Sequence, residues 1–538
     1  MGSALSRFRI ALKGVSQTLS ELEEVNKRIQ TSPGLPVADP QTPYWSIPPA
    51  RIADTPLSCA AEAYADVVII GSGITGTAVA RTLLALSPET RVIMLEAREA
   101  CSGATARNGG HITPDSFHDY GELREAYDAK TAKEIVRFRL AHLAELLEVS
   151  EEEGLREESQ CRVVDTFDVH LGAEKFETMK ESLAEYLEDM PEQRGKFGFV
   201  ENVEELQLSP EVVVGVIATK AGAIHSYRFV TGILSRLLAR HPDNFQLFTN
   251  TPCVSISSNS THYTLATPKG VIRAKHVVHA TNAWASHLLP AMRGKIVPVR
   301  GHMTAQRPGL GLGQTASDAD SVRTLAGADS SWLGHRSFVI YGENNAGYNY
   351  LTQQPVGSSS KTYPAPNGEF MLGGGLSGAN VLGEVGVADD HASASVGVSA
   401  YLSGVLSMYF GTAWGEEGRP SDAKLASGSE VDPGRILKVW TGILGFSADH
   451  QPWVGRLPQK LTRRNCPKAS SSNLASPGEW IAAGYSGEGM VHAYLCGKAV
   501  GRMLAQSAVE GLVPEPFVVT EKRWKRARLE DFDSVSLV

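Results

Sequence analysis

Positive charge is in short supply in this 538-residue sequence: 51 Lys and Arg stand against 59 Asp and Glu, a formal net charge of −8. A chain with that balance lacks the basic footprint of a nucleic-acid binder, and no such partner is expected. Cysteine is sparse as well. The six residues, at positions 59, 101, 161, 253, 466 and 496, include no C-x-x-C pair, which argues against a disulfide framework or a zinc site and fits a reducing, cytoplasmic compartment. His118, His142 and His170 stand at no metal-ligand spacing, so structural or surface roles and no metal are expected. No run reaches the ~18 continuous apolar residues of a membrane span. What is present is ordinary globular material, 42% hydrophobic and 20% charged, enough for about three to four units of roughly 150 residues.

Leu5, Phe8, Leu12, Val15, Leu19, Leu22, Val25 and Ile29 recur at steps of three and four, so residues 1–30 read as an amphipathic N-terminal helix. Docking on the body of the protein or on a second copy, a targeting segment and a membrane-surface anchor all fit this pattern. Gly2 and Ser6 also match a myristoylation pattern. Seven prolines then make residues 31–65 an extended lead-in.

The strongest signal follows. Asp66–Ile70 is a β-branched run suited to a strand buried on both faces. It leads into Gly71-Ser72-Gly73-Ile74-Thr75-Gly76, a helical stretch to Leu86, a second apolar run at 91–95, and Glu96. Gly71 permits the tight turn, Gly73 lets the backbone approach a pyrophosphate, and Gly76 lets the helix pack on the strand. The helix N-terminus offers free N–H groups to phosphate. Glu96 stands where an acid accepts from ribose hydroxyls and disfavours a 2′-phosphate. Dinucleotide binding follows from the order of these features.

Beyond Glu96, Ala97 and Arg98 lies a polar, glycine-bearing loop, Ser102-Gly103-Ala104-Thr105-Ala106-Arg107-Asn108-Gly109-Gly110. Here the chain resembles the D-amino-acid-oxidase-like (DAO) superfamily of FAD-dependent oxidoreductases, and most of all the γ-glutamylputrescine-oxidase-like amine oxidases. Tyr44-Trp45 before Pro48-Pro49 adds to the likeness, as do Thr281-Asn282-Ala283 after a strand and the late segments holding Gly445, Asp449, Gly484, Gly487, Glu488, Gly489 and Met490.

The resemblance implies an α/β (α+β overall) fold. A Rossmann-type FAD-binding domain would be assembled from 66–165, 221–296 and 439–508, and an antiparallel-sheet substrate domain from 166–220 and 297–438, with a C-terminal tail at 509–538. It implies FAD bound by the segments just named. It also implies a roofing sheet over the flavin, with His302, Tyr348 and Tyr350 as catalytic or substrate-contact candidates. The covalent tethers of relatives are missing: Gly442 stands where sarcosine oxidases carry cysteine, and Arg107 near where dimethylglycine-dehydrogenase-like enzymes carry histidine. The expected FAD is therefore dissociable. Gly489 is followed by Met490 and Val491 rather than by the lysine that holds a substrate carboxylate in sarcosine-oxidase-like members, so a larger amine is favoured over a simple α-amino acid. The expected reaction is oxidation of a C–N bond in a small-molecule amine, with oxygen reduced to peroxide. Two other readings stay open: a dehydrogenase with another acceptor, and a non-catalytic flavin-binding interaction protein. Self-association through the N-terminal helix belongs with the latter.

Overall fold

The computed structural model describes residues 20–55, 63–312, 332–343, 347–355, 368–376, 381–391, 395–416, 434–468, 473–507 and 511–528. Its first sheet grows from the most apolar run in the sequence. Ala63–Ile70 is buried on both faces, with Val67, Val68 and Ile69 fully inaccessible, so it takes a central position with Gly270–His279 and Val92–Leu95 beside it. The order across the sheet is 453–456, 478–483, 270–279, 63–70, 92–95, 245–248. All neighbours are parallel except the first pair. An antiparallel meander, 255–258 and 263–267, continues from the start of 270–279.

Helices Ile74–Leu86 and Ala493–Leu504 cover one face of this sheet in close contact, because glycines meet backbone between them. A Cβ on Gly497 would stand 2.5 Å from the Thr75 carbonyl oxygen, and one on Gly501 would stand 3.1 Å from that of Val79. Together with Ser226–Arg240 they build the main apolar core.

The second sheet runs 436–447, 296–306, 370–373, 348–353, 336–341, 162–170, 215–223, 111–112. Its neighbours are antiparallel except 336–341 against 162–170. Its two faces are chemically distinct. Phe167, Val169, Phe338, Ile340, Leu351, Phe370 and Leu372 point outward into a core closed by helix Val396–Phe410. The alternate residues point inward to the first sheet. Val396–Trp414 is apolar and long enough to cross a membrane by length and composition, but Leu402, Leu406, Tyr409 and Phe410 are buried against this sheet.

The late glycines run into a short 3-10 turn, Gly489–Val491, and the chain becomes α-helical at Ala493. Two helices, Tyr120–Ala126 and Ala129–Glu152, follow the first glycine loop, with Asp128 capping the second through the Thr131 N–H at 2.7 Å. The C-terminal segment folds back, with helix Glu521–Arg526 packed on the body. At the other end, residues 20–30 are helical. They dock through Val25 and Ile29 on the apolar cluster around Val297 and Val299, and Arg28 donates to the Gly383 carbonyl. The first half of that helix and the myristoylation pattern lie outside the described residues.

Candidate active site

The first β-α turn opens a cleft between the two sheets. Gly71 has φ +107°, and a Cβ there would stand 2.5 Å from the Ala280 carbonyl oxygen, so only glycine lets the two strands end side by side. A Cβ on Gly76 would come within 2.0 Å of the Gly71 carbonyl oxygen. Gly71, Gly73, Ile74 and Thr75 line the cleft, whereas Gly76 lies behind them and seats the helix on the strand. Gly73, the N-cap of this helix, gives no side-chain cap; instead Thr105 Oγ1 accepts from the Ile74 N–H at 3.1 Å.

Glu96, Ala97 and Arg98 line one end. Glu96 is held by the Ser72 N–H and hydroxyl at 3.0 and 2.7 Å on one oxygen, and by the Arg98 N–H at 3.2 Å on the other. Ser72 itself is buried outside the cleft and orients Glu96. Thr105, Asn108, Thr281, Asn282 and Gly445 line the middle. Asn282, at φ +42°, accepts from the Gly484 N–H at 3.0 Å and lies where a Cβ on Gly445 would stand, 2.5 Å from its Oδ1. It thus ties the end of one strand to the late glycine turn. Ala283 is buried beside it in a small apolar cluster.

Gly487, Gly489 and Met490 close the far end, with Leu444 and Tyr485. The turn is pinned by the Ser486 N–H to the Gly445 carbonyl at 2.8 Å and by the Tyr485 hydroxyl against Thr75 Oγ1, also 2.8 Å. Gly484 lies behind the turn, packed on Ile296 and Trp453. Glu488 points away from the cleft to Arg139, 3.5 Å off.

Several expected contacts prove to be supports of the cleft. Arg107 is 3% exposed. It donates to the carbonyls of Ser102, Thr441 and Gln41, each at 2.8 Å. It shares Asp390 with Arg98, at 3.3 and 2.8 Å, and burial lowers its guanidinium to about 10. Ser102 contributes its carbonyl to both arginines. Gly109 and Gly110 leave room for rings: Cβ atoms there would stand 2.6 Å from Tyr350 and 3.1 Å from Trp45, and Trp45 donates to the Asn108 carbonyl at 2.5 Å. Asp449 is outside the cleft altogether. It forms a bidentate pair with Arg523, both contacts 2.8 Å, and so anchors the C-terminal helix.

The three sheet candidates do not come together. Gly373 is paired with both Met303 and Tyr350, so these point inward, and the Tyr350 hydroxyl donates to Met303 Sδ at 3.2 Å. Tyr348 shares that face, 6.1 Å away between ring centroids and 40% exposed. His302 neighbours Met303 in the strand and therefore points to the opposite face. There its Nε2 lies 3.4 Å from Glu384, which corrects its assignment as a substrate contact. A single histidine's side of a strand is set by the register of partner strands some seventy residues away, which its local sequence does not carry.

Other cleft residues had no motif to announce them: Gly34, Leu35 and Pro36 from the lead-in, and Trp284, His287, Leu288 and Cys253. Burial pushes the Cys253 thiol up to about 12, so it stays protonated.

A family model described as DAO, FAD dependent oxidoreductase, matches residues 66–503. The chain belongs to this family. It shares the fold of glycine oxidase from Geobacillus kaustophilus (TM-score 0.57, 17% identity, covering 85% of this chain and 99% of that one). It also shares the fold of L-proline dehydrogenase from P. horikoshii (TM-score 0.55, 18% identity, covering 85% and 98%). A third match is NikD, an amino acid oxidase essential for nikkomycin biosynthesis (TM-score 0.55, 14% identity, covering 84% and 98%). A search of curated protein sequences found no significant match.

The cleft of this DAO-family member fits FAD on its own chemistry. Thr281 Oγ1, Trp284 Nε1 and His287 Nε2 are buried in its wall without a hydrogen-bond partner, a costly arrangement that a polar ligand relieves. The glycines at 71 and 73 leave the space that a pyrophosphate takes, and Glu96 stands at the ribose end.

Proposed function

We propose that the protein oxidises the C–N bond of a small-molecule amine with dissociable FAD and oxygen. The observation that supports this most is the makeup of the ring end. Met490 and Leu444 line it, Tyr348 and Tyr350 share the inward face of the second sheet, and no cation follows the last glycine to take a carboxylate.

Gly71, Gly73, Glu96, Thr105, Asn108 and the Gly487–Met490 turn would hold FAD, which supplies a two-electron acceptor: the carbon gives up hydride, the nitrogen lone pair becomes the C=N bond, and oxygen carries the electrons away as peroxide. The rest is done by the chain. Tyr350 packs its ring on the Gly109 backbone, and Tyr348 forms the outer wall, so together they exclude water and orient the amine. His111 meets Tyr350 edge-on at 5.5 Å. Burial holds it near 3, so its ring is neutral and adds no charge to repel a cationic substrate. No described cysteine with a reactive thiolate faces the cleft, in keeping with flavin that acid precipitation releases.

The test is anaerobic absorbance with a panel of amines, followed by peroxide assay in air. Loss of the oxidised-flavin band with a larger amine, and peroxide on aeration, is the expected result. Rapid reduction by glycine or sarcosine alone, or turnover only with an artificial acceptor, contradicts it.

A further inference from the structure

The family match begins at residue 66, yet part of the cleft wall comes from well before it: Gly34, Leu35 and Pro36. Two anchors carry the chain to and from that wall. On the N-terminal side, Val25 and Ile29 pack on the cluster of Val297, Val299 and Phe446, and the Gly294 N–H donates to the Ile29 carbonyl at 3.2 Å. On the other side, the Gln41 N–H donates to the Asp390 carbonyl at 3.0 Å. The Gln41 side-chain oxygen accepts from the Thr441 N–H at 3.1 Å, and its backbone carbonyl accepts from Arg107 at 2.8 Å. Between these anchors, among the described residues, a single hydrogen bond ties residues 32–38 to the body, from Ser32 Oγ to His287 Nδ1 at 3.0 Å. The segment is a strap, fixed at both ends and latched once in the middle.

The strap crosses a definite part of the cleft. The Thr251 N–H donates to the Glu96 carbonyl at 2.9 Å and the Asn250 N–H to that of Arg98 at 2.8 Å, which brings Cys253, two residues on, to the Glu96 end. Leu288 clusters with Cys253, Ile70 and Leu95, and His287 is its neighbour in the chain. The latch therefore stands at the end where the acid meets the ribose of a dinucleotide and where its purine follows. The late glycines and Met490 lie at the other end.

The latch also faces the ligand. Ser32 Oγ accepts from the Gly34 N–H at 3.2 Å, which leaves the serine proton for Nδ1 and puts the ring hydrogen of a neutral His287 on Nε2. Burial holds the imidazole below its ordinary range, so it is neutral at pH 7, although the Val254 backbone acts in the opposite sense. Nε2 is buried in the cleft wall and makes no hydrogen bond, and the same is true of Trp284 Nε1 three residues earlier. Two unpaired N–H donors beside Leu35, Pro36 and Leu288 match the flat apolar face and ring-nitrogen acceptors of a purine.

We propose that Ser32–Pro36 is a clasp over the adenosine half of FAD, latched by Ser32 on His287, with His287 Nε2–H donating to the purine. The nucleoside end leaves only when the strap lifts, so the latch sets the rate at which cofactor is lost.

The first measurement is hydrogen–deuterium exchange over residues 34–39 of the full chain, loaded with FAD, stripped of it, or stripped and then saturated with ADP or with FMN. FAD and ADP should each slow exchange at least fivefold, and FMN, which lacks the nucleoside, should leave it unchanged. The second is the rate of FAD loss from the holoenzyme on dilution, followed by flavin fluorescence. Ser32→Ala and His287→Phe should each raise that rate at least fivefold. Thr31→Ala, which removes a bond to the Lys27 carbonyl within the preceding helix, should release FAD at the wild-type rate. Exchange that is the same with and without FAD overturns the clasp, as does protection by FMN but not by ADP. Release rates unmoved by both latch substitutions, or raised equally by Thr31→Ala, overturn the latch. If the stripped chain does not keep its fold, the release rates decide. No amine enters either measurement, so failure here leaves the proposed reaction untouched.

Discussion

At the scale of single residues, the cleft depends on atoms that are absent. Gly76 admits no Cβ because the Gly71 carbonyl oxygen would lie 2.0 Å from it, and that oxygen belongs to backbone fixed between two strands. Gly76→Ala is expected to yield protein with little or no bound FAD. Gly404→Ala, on helix Val396–Phe410 away from the cleft and with a Cβ that meets nothing within 4 Å, should keep a full complement; FAD per chain, measured by absorbance, separates the two. Asp390 makes the opposite point. Fully buried, it joins Arg98 and Arg107 under the cleft floor. Asp390→Ala would leave two buried guanidinium groups uncompensated, at a cost of about 3–5 kcal/mol. A marked fall in the thermal unfolding midpoint, with weaker FAD retention, is the expected outcome. An unchanged midpoint would show that the arginines find other partners.

Among the elements, those whose function is local were legible. The strand, glycine turn, helix, strand and acid of 66–96 all lie within one span, and each constraint acts between near neighbours, so the residue types alone betray the geometry. The late glycine turn was legible for the same reason. What escaped were contacts made at long range. Asp449 stands in a recognisable segment, yet its partner is Arg523, from a region read only as a tail. Glu488 likewise sits in a recognisable segment, yet it meets Arg139, from a helix far earlier in the chain.

The C-terminal helix gives a direct check. Arg523 bonds Asp449 and the carbonyls of Gln451, Pro452 and Phe517. Arg523→Ala should therefore detach the helix and leave Asp449 buried alone. Faster proteolysis after position 511 is predicted; wild-type resistance would argue against this anchoring role. Arg523 holds the Asp449 carboxyl below its ordinary range, so the stability from this pair is present above the ordinary carboxylate pKa and is lost as pH falls through the depressed value.

For the whole molecule, buried neutral histidines set the acid limit. Burial lowers His142 and His276 to about 4, and His111 and His170 to about 3. The unfolded chain binds protons at these sites from about pH 6.5 downward while the folded chain does not. Each then removes up to about 1.4 kcal/mol of stability per pH unit until its folded pKa is reached. His118, Asp119 and Glu488 are shifted upward and act in the opposite sense, but they are fewer. The denaturant midpoint should fall steadily between pH 6.5 and 4; a flat profile over that range would contradict the placement of these rings.

The two-sheet architecture as a whole was readable through family resemblance. The inward and outward faces of the second sheet were not, because they depend on registers among strands far apart in the chain. That is why Tyr348 and Tyr350 share a face while His302 lies on the other.

The most direct measurement is the visible spectrum of the purified chain, recorded anaerobically before and after addition of a larger amine. The account predicts one FAD per chain, released into the supernatant by acid, and loss of the oxidised-flavin band on mixing. A chain that takes up FAD yet keeps an unaltered oxidised spectrum with every amine would contradict it.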